Sequence, residues 1–176
     1  MHADHLTLEL ENEAATLALG AALAPCVFPG MTVYLDGDLG AGKTTLVRGL
    51  LRALGDTGPV KSPTYTLVEL HAVSGLNLYH FDFYRFNQPE EYLDAGLEEY
   101  FAGKGVCLVE WPERAAPYLP VPDLRLRLAV LGDGRQARID ATGERGRTCL
   151  ACLTSFSVLA GSPSPAAKPS ALSPPA

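Results

Sequence analysis

Nine consecutive residues carry the clearest chemistry in this sequence. The run from Gly37 to Thr45, GDLGAGKTT, has the spacing G-x-x-x-x-G-K-T, in which glycines let backbone N–H groups turn inward around an anion. The helix that follows would direct the positive end of its dipole at the same point. A lysine at this position reaches the β and γ phosphates of a nucleotide, and the adjoining hydroxyl reaches a magnesium ion. We therefore predict a nucleotide-binding loop with Lys43 on the phosphates and Thr44 at the metal.

The flanking sequence has the setting that such a loop requires. The residues at 32–35 form a short apolar run rich in strand formers. After the loop, apolar side chains recur at helical spacing at Leu46, Val47, Leu50, Leu51 and Leu54. The context is therefore strand, loop and helix, as the motif demands. The predicted nucleotide contacts are Asp38, Leu39, Gly40, Ala41, Gly42, Lys43, Thr44 and Thr45.

Two acidic residues are candidate catalytic partners of the loop. Hydrolysis needs a carboxylate for the magnesium shell and a group that orients the attacking water. Glu110 directly follows a compact apolar run typical of a central parallel strand. Its alternative interpretation is an ordinary surface glutamate at the end of that strand. Asp82 shares a strand face with His80, and its alternative role is an ion pair with Arg85 or Arg114. Both acids are predicted to be catalytic, and Glu110 is also placed at the metal.

Three neighbouring side chains keep two interpretations each. Thr64 follows Pro63 on the loop after the phosphate-loop helix, where its hydroxyl serves either the turn or the γ phosphate. Trp111 either stacks on a base or belongs to a core or an interface. His80 is either a structural histidine or a proton shuttle, and the structural role is the commoner one. We include Thr64 among the nucleotide contacts, and the lack of an N-K-x-D motif favours ATP over GTP.

Composition indicates one globular domain that does not grip nucleic acid by itself. The chain has 176 residues, of which 47% are apolar and 19% charged, and its formal net charge is −6. An acidic surface disfavours a broad phosphate-binding face, so any RNA contact is predicted to need a partner. No apolar stretch approaches the roughly 20 residues of a membrane helix, and the N-terminus lacks the pattern of a signal peptide. We expect a cytoplasmic protein with no membrane contact.

The cysteines are predicted to be structurally and chemically silent. Four cysteines, at positions 26, 107, 149 and 152, do not make a disulfide framework in a chain of this size without a signal peptide. Cys149 and Cys152 form a C-x-x-C pair, but no second pair has the spacing of zinc ligands. We therefore expect neither a redox pair nor a metal site there.

The remaining pattern alternates strands with helices. An alternating strand at residues 6–10 precedes a helix that Asn12 can cap and that carries Ala14, Leu17, Ala18 and Ala21. Later segments are predicted as a strand opened by residues 62–66 and running to 70, a turn at 73–75, a strand at 76–84, a helical region ending near 101 and bent near 96, a strand at 105–109, and a hairpin at 124–141.

Together these elements predict an α/β fold of the P-loop NTPase type. It would have three layers, with a mixed, mostly parallel sheet between helices on both faces and a C-terminal antiparallel hairpin. We assign residues 1–147 to an ATPase domain and 148–160 to an apolar terminal segment of uncertain structure. Residues 161–176 are almost entirely Ser, Pro, Ala and Gly, which predicts a disordered tail.

Four segments in this order and spacing resemble one family, TsaE, also called YjeE. The resemblance runs from the N-terminal strand to about residue 143. The segment at 80–85 departs from the family in carrying Phe81 and Phe83, where smaller aliphatic residues are frequent, and it retains the acid and the histidine. The segments are GDLGAGKTT at 37–45, SPTY at 62–65, HFDFYR at 80–85 and EWPER at 110–114.

The resemblance implies an activity, a site and partners. It implies magnesium-dependent ATP hydrolysis by a subunit required for threonylcarbamoyl modification of the adenosine beside the anticodon in tRNA. It also implies partnership with the TsaB and TsaD proteins, of which TsaD is the transferase, so that tRNA would be reached only through the complex. In the family's site Lys43 would lie on the phosphates, Thr44 and Glu110 at magnesium, and Asp82 would act on the reaction. Turnover by the isolated chain is expected to be slow.

Two other functions share the phosphate loop. A small-molecule kinase would need a substrate pocket and usually an arginine-rich lid, whereas the arginines at 125, 127, 135 and 138 fall on the predicted hairpin. A nucleotide-sensing subunit would bind ATP and hardly cleave it. Both remain alternatives to the ATPase.

Overall fold

The computed structural model describes residues 4–159, and within them it has one seven-stranded sheet flanked by helices. The strands are β1 His5–Leu10, β2 Thr32–Asp36, β3 Val68–Val73, β4 Leu76–Asp82, β5 Val106–Glu110, β6 Leu124–Leu131 and β7 Gly134–Ala141. The helices are α1 Glu13–Leu23, α2 Lys43–Ala53, α3 Glu91–Asp94, α4 Glu98–Ala102 and α5 Gly143–Leu159, with a 3-10 helix at Pro112–Ala115. The predicted α/β class is confirmed.

The centre of the sheet is parallel and its margins are antiparallel. The strand order is β1-β7-β6-β2-β5-β4-β3, and the pairs β6–β2, β2–β5 and β5–β4 are parallel. The β6–β7 pair is the predicted C-terminal hairpin. The register sets Leu35 beside Glu110, and Glu110 beside Asp82. Because parallel strands end at a common edge, the chain leaves β2, β5 and β4 at one place.

Strand alternation gives each face of the sheet its own core. On β2, Val33 belongs to the cluster beneath α1, α2 and α5, whereas Tyr34 belongs to the cluster beneath α3 and α4. On β5, Leu108 and Val109 divide in the same way. A central strand buried on both faces is continuously apolar, which is why β5 was recognisable in the sequence.

Helix α1 is capped as predicted, but its apolar residues do not define its buried face. The Asn12 side chain accepts a hydrogen bond from the Ala15 N–H at 2.9 Å. The contact with α2 is made through glycine: a Cβ at Gly20 would lie 2.1 Å from the carbonyl oxygen of Leu46. The buried face of α1 is therefore set by the close approach of the two helix backbones at Gly20 rather than by the spacing of apolar residues. Ala14 and Ala18 are exposed, and the buried residues are Thr16, Leu19, Gly20 and Leu23.

The strand predicted to open at 62–66 begins later, at Val68. Residues 62–66 form a loop, and Leu67 adopts a left-handed backbone with φ of 69° before pairing starts. Pro63 has no backbone N–H to donate to a sheet ladder, which agrees with the later start of β3.

The expectation of no disulfide is wrong. Cys26, just after α1, is bonded to Cys152 on α5; their Cα atoms are 5.6 Å apart, and the two residues lie 126 positions apart in the sequence. The pairing depends on α5 packing against α1, which composition and spacing do not reveal. Cys149 is free and buried, so the C-x-x-C pair does not form a disulfide with itself.

Helix α5 begins at Gly143 and contains the apolar segment that starts at residue 148. The tail assigned to 161–176 lies outside the described residues. Within residues 4–159, every helix is too short or too polar to cross a bilayer.

Candidate functional site

The loop from 37 to 45, which we call the phosphate loop, joins the end of β2 to the start of α2. Gly42 is the N-cap of α2 and has a φ of 107°, a backbone conformation that side chains with a Cβ rarely adopt. Gly37 has no room for a side chain, because a Cβ there would lie 2.7 Å from the carbonyl oxygen of Leu128 on β6. These two glycines allow the loop to turn tightly between the sheet and the helix.

Lys43 is folded back over the phosphate loop and is almost wholly buried, at 5% exposure. Its Nζ donates to the carbonyl oxygen of Gly37 and, at 3.1 Å, to that of Asp38. Burial lowers the pKa of the ammonium group, and the nearby carboxylates of Glu110 and Asp82 partly oppose that shift. Within residues 4–159 the ammonium group has hydrogen bonds to carbonyl oxygens and no carboxylate within ion-pair distance, so it is poised for an anionic ligand.

Glu110 is buried rather than exposed, which excludes the interpretation as a surface glutamate. Its Oε1 accepts the Thr44 hydroxyl at 2.8 Å and lies 2.9 Å from Nε2 of His80. A carboxylate accepts, so Nε2 of His80 donates and the neutral ring would be the Nε2–H tautomer. Nδ1 of His80 is buried and has no partner within residues 4–159. His80 therefore holds the glutamate in place, which agrees with its predicted structural role.

Asp82 is buried at 3% exposure and lies beside Glu110 in the adjacent strand. Its Oδ2 accepts the Ser62 hydroxyl, and its Oδ1 accepts the Tyr84 backbone N–H at 2.8 Å. The ion pair with Arg85 or Arg114 that we weighed does not occur in the described part of the chain. The carboxylate is thus fixed by neutral donors, and Ser62 is a site residue that the sequence analysis did not assign.

The signal for Ser62 lay in the loop sequence itself. Ser62 and Thr64 flank Pro63, and both line the same cleft as the phosphate loop. The sequence showed a hydroxyl residue on each side of a proline. It did not show that the Ser62 hydroxyl would donate to Asp82, which lies 20 residues further along the chain.

Trp111 adopts a strained backbone directly after Glu110. Its φ of 57° and ψ of 48° are left-handed, which is an outlier for a bulky residue and typical of functional turns. The turn brings its ring beneath the Nζ of Lys43, 4.1 Å from the ring centroid. The ring of Trp111 therefore makes a cation–π contact with Lys43, at the end of the cleft where the two acids lie.

The predicted site residues converge on one cleft of about 240 Å³. It contains the whole set of predicted nucleotide contacts together with both acids. Its lining is Asp38, Leu39, Gly40, Ala41, Gly42, Lys43, Thr44, Thr45, Ser62, Thr64, Asp82, Tyr84, Glu110 and Trp111.

A larger cavity lies at the opposite end of the parallel strands. It measures about 570 Å³ and is lined by Tyr79, Tyr100 and Lys104 among others. It contains neither a pair of acids nor a glycine loop preceding a helix. Size alone therefore does not select the functional site, and the chemistry selects the smaller cleft.

The fold and the site define an α/β protein in which a glycine-rich loop, a lysine and two carboxylates from adjacent parallel strands meet. The family model described as threonylcarbamoyl adenosine biosynthesis protein TsaE matches residues 10–138. The chain belongs to the TsaE family.

Individual relatives are similar over most of their length. The tRNA threonylcarbamoyladenosine biosynthesis protein TsaE of Haemophilus influenzae is 38% identical over 86% of this chain and 99% of its own. The protein of the same name from Bacillus subtilis is 42% identical over 76% of this chain and 84% of its own. The crystal structure of B. subtilis YdiB has a TM-score of 0.73 and 34% identity, covering 87% of this chain and 96% of that one.

Proposed function

We propose that this chain is a magnesium-dependent ATPase that works in threonylcarbamoyladenosine formation in tRNA. Family membership and the names of the relatives support the pathway. The observation that carries the chemistry is the contact of Thr44 with Glu110, 2.8 Å apart, beside the buried Lys43 and Asp82.

The donor chemistry around Thr44 fits magnesium. Magnesium favours oxygen ligands and usually takes one or two from the protein, with the rest from phosphates and water. The Thr44 hydroxyl donates its hydrogen bond to Glu110, so the lone pairs of its oxygen stay free to face a cation. When bound, the metal would neutralise charge on the β and γ phosphates. The residues that would hold it are Thr44 and Glu110.

The two cavities beside the phosphate loop suit the two halves of ATP. The cleft with Lys43 and the acids would take the terminal phosphates. A second cavity of about 310 Å³ also contains Gly40, Ala41, Gly42 and Thr45, so the two share one wall. It is lined in addition by Asn12, Glu13, Thr16, Asp133, Gly134 and Arg135, and it would take the nucleoside.

Asp82 would orient the attacking water. Both of its oxygens already accept a hydrogen bond, from Ser62 and from the Tyr84 N–H, and this fixes the carboxylate as an acceptor. A positioned acceptor beside the γ phosphate aligns water for in-line attack. Lys43 would hold the phosphate chain and stabilise the charge that develops during transfer.

Turnover by the isolated chain is expected to be slow because, in residues 4–159, the arginines that follow the two acids in the sequence already have other partners. Arg85 lies over the ring of Tyr65, 4.1 Å from its centroid, and Arg114 donates to the carbonyl oxygen of Phe86 at 3.4 Å. Completion by TsaB and TsaD is part of the proposal, and tRNA would be reached through them.

The test is phosphate release from ATP by the purified chain, alone and with TsaB and TsaD. We expect slow, magnesium-dependent release that the two partners accelerate. Equal rates with and without them would refute completion by partners, and absence of ATP binding in calorimetry would refute the ATPase. Transfer of the phosphate to an added small molecule would favour the kinase instead.

A further inference from the structure

Arg135, near the start of β7, reaches the phosphate loop from the hairpin. Its Nε donates to the carbonyl oxygen of Ala41, and a terminal nitrogen donates to that of Gly40, both at 3.0 Å. The other terminal nitrogen donates to the carbonyl oxygen of Gly134 at 2.8 Å. One guanidinium group therefore spans two consecutive carbonyls of the loop and its own strand.

Arg135 differs in this respect from the other arginines of the hairpin. Arg125 pairs with Asp36 at 3.0 Å, and Arg127 and Arg138 pair with Asp140. In residues 4–159, Arg135 has no carboxylate within ion-pair distance. Its hydrogen bonds go to backbone carbonyls, so its positive charge is not neutralised by a side chain.

The carbonyls that Arg135 binds determine where the loop's N–H groups point. An anion-binding loop directs successive N–H groups to one side, which turns the neighbouring carbonyls away from the anion. Glycine at 40 and 42 makes this arrangement possible but does not enforce it, because glycine has many accessible conformations. A planar group with donors in a fixed fork can hold two carbonyls at once, whereas an ammonium group cannot match that geometry.

We propose that Arg135 is a positioning residue that holds the phosphate loop in its anion-binding shape and thereby sets the affinity for the nucleotide's phosphates. The inference rests on the proposed function. Arg135 also lines the cavity proposed for the nucleoside, but its hydrogen bonds go to the backbone carbonyls of Gly40, Ala41 and Gly134. It would therefore act through the backbone of the loop and take no part in the reaction itself. Preorganising the loop removes an ordering cost that the nucleotide would otherwise bear on binding.

The test compares Arg135→Ala and Arg135→Lys with the matched control Arg138→Ala on the same strand. ATP and ADP affinities are measured by calorimetry, and the thermal unfolding midpoint is measured without nucleotide. We expect Arg135→Ala to weaken ATP and ADP binding about tenfold, from the loss of two charge-assisted hydrogen bonds. Arg135→Lys should recover little of it, and Arg138→Ala should bind within about twofold of wild type.

A kinetic split separates positioning from a general loss of structure. With Arg135→Ala the KM for ATP should rise about tenfold while kcat at saturating ATP stays within about twofold, because the acids are untouched. The nucleotide-free midpoint should match that of Arg138→Ala.

Wild-type affinity in Arg135→Ala, full recovery in Arg135→Lys, or a loss that follows a lowered unfolding midpoint would each overturn the inference and leave the ATPase standing. If wild-type protein itself fails to bind ATP, the proposed function fails and the inference with it.

Discussion

The phosphate-loop end of the sheet and the terminal helix α5 are held together by different means. At the loop, polar groups from α2, β4 and β5 satisfy one another through short contacts such as Thr44 with Glu110 at 2.8 Å. At α5, one covalent bond joins residues 126 positions apart, and the helix adds apolar contacts and the ion pairs of Arg145 with Asp123 and of Arg147 with Asp4. The first arrangement is suited to chemistry, and the second to stability. Perturbing the two regions should therefore change different observables.

The largest effect is expected from Asp82→Asn in ATP turnover. An amide keeps the shape of the carboxylate but cannot accept a proton. Its NH₂ group would also replace one of the two oxygens that now accept hydrogen bonds from Ser62 and Tyr84. We expect kcat to fall about 10²- to 10⁴-fold, the range for loss of an acid or base, with ATP affinity changed only a few-fold. Phosphate release and calorimetry measure the two. The exposed Asp94→Asn is the control, and unchanged turnover in Asp82→Asn would assign the chemistry elsewhere.

The next effect belongs to the other region. Cys26→Ser removes the closure of a 126-residue loop and should lower the free energy of unfolding by about 2–4 kcal/mol. ATP affinity should not change, since neither cysteine lines either of the two cavities beside the phosphate loop. Urea denaturation measures the loss. A thiol reductant supplies the control, because it should destabilise wild type and leave Cys26→Ser unaffected; a wild type insensitive to reductant would mean that the bond does not contribute.

A smaller change in activity is expected from Glu110→Gln. The amide carries no charge to attract a cation, and its NH₂ group can displace the hydrogen bond from Thr44 or His80. We expect the magnesium concentration for half-maximal turnover to rise about ten- to a hundredfold. Titration of turnover against magnesium measures it. Glu113→Gln, exposed and three residues away, should titrate like wild type, and identical curves for both variants would remove Glu110 from the metal site.

The smallest effect concerns a pair distant from the phosphates. The Asp56 carboxylate accepts the Gly58 N–H and lies 2.7 Å from Nδ1 of His71, and these hydrogen bonds lower the pKa of Asp56 below its ordinary 3.8. A lowered carboxyl pKa contributes stability that is present above the ordinary value and is lost as pH falls through the folded one. For a single part-buried pair such as this one the contribution is on the order of 1 kcal/mol.

Asp56→Asn should therefore lower the free energy of unfolding at pH 5 and have a smaller effect near pH 3. Urea denaturation at the two pH values measures the difference. Asp133→Asn, in the exposed hairpin turn, is the control. An equal loss at both pH values would indicate a contribution from packing rather than from charge.

Local patterns were sufficient for much of the fold. The phosphate loop, the central strand β5 and the β6–β7 hairpin were all predictable, because each depends on short-range spacing of glycine, apolar and turn residues. Glu110 could be named because it follows a recognisable apolar strand, and Asp82 because it shares a strand face with His80. Predictions failed where a residue's neighbours in space are distant in the sequence, as in the buried face of α1 and the true start of β3.

What the sequence by itself determined is therefore the set of candidate site residues and the class of fold that presents them. Only the tertiary structure decided which partners they have: Ser62 on Asp82, His80 on Glu110, Arg135 on the phosphate loop, and Cys152 on Cys26. The physical reason is that these contacts join residues 20 to 126 positions apart. Such pairs are set by strand order and helix packing, which no local pattern encodes.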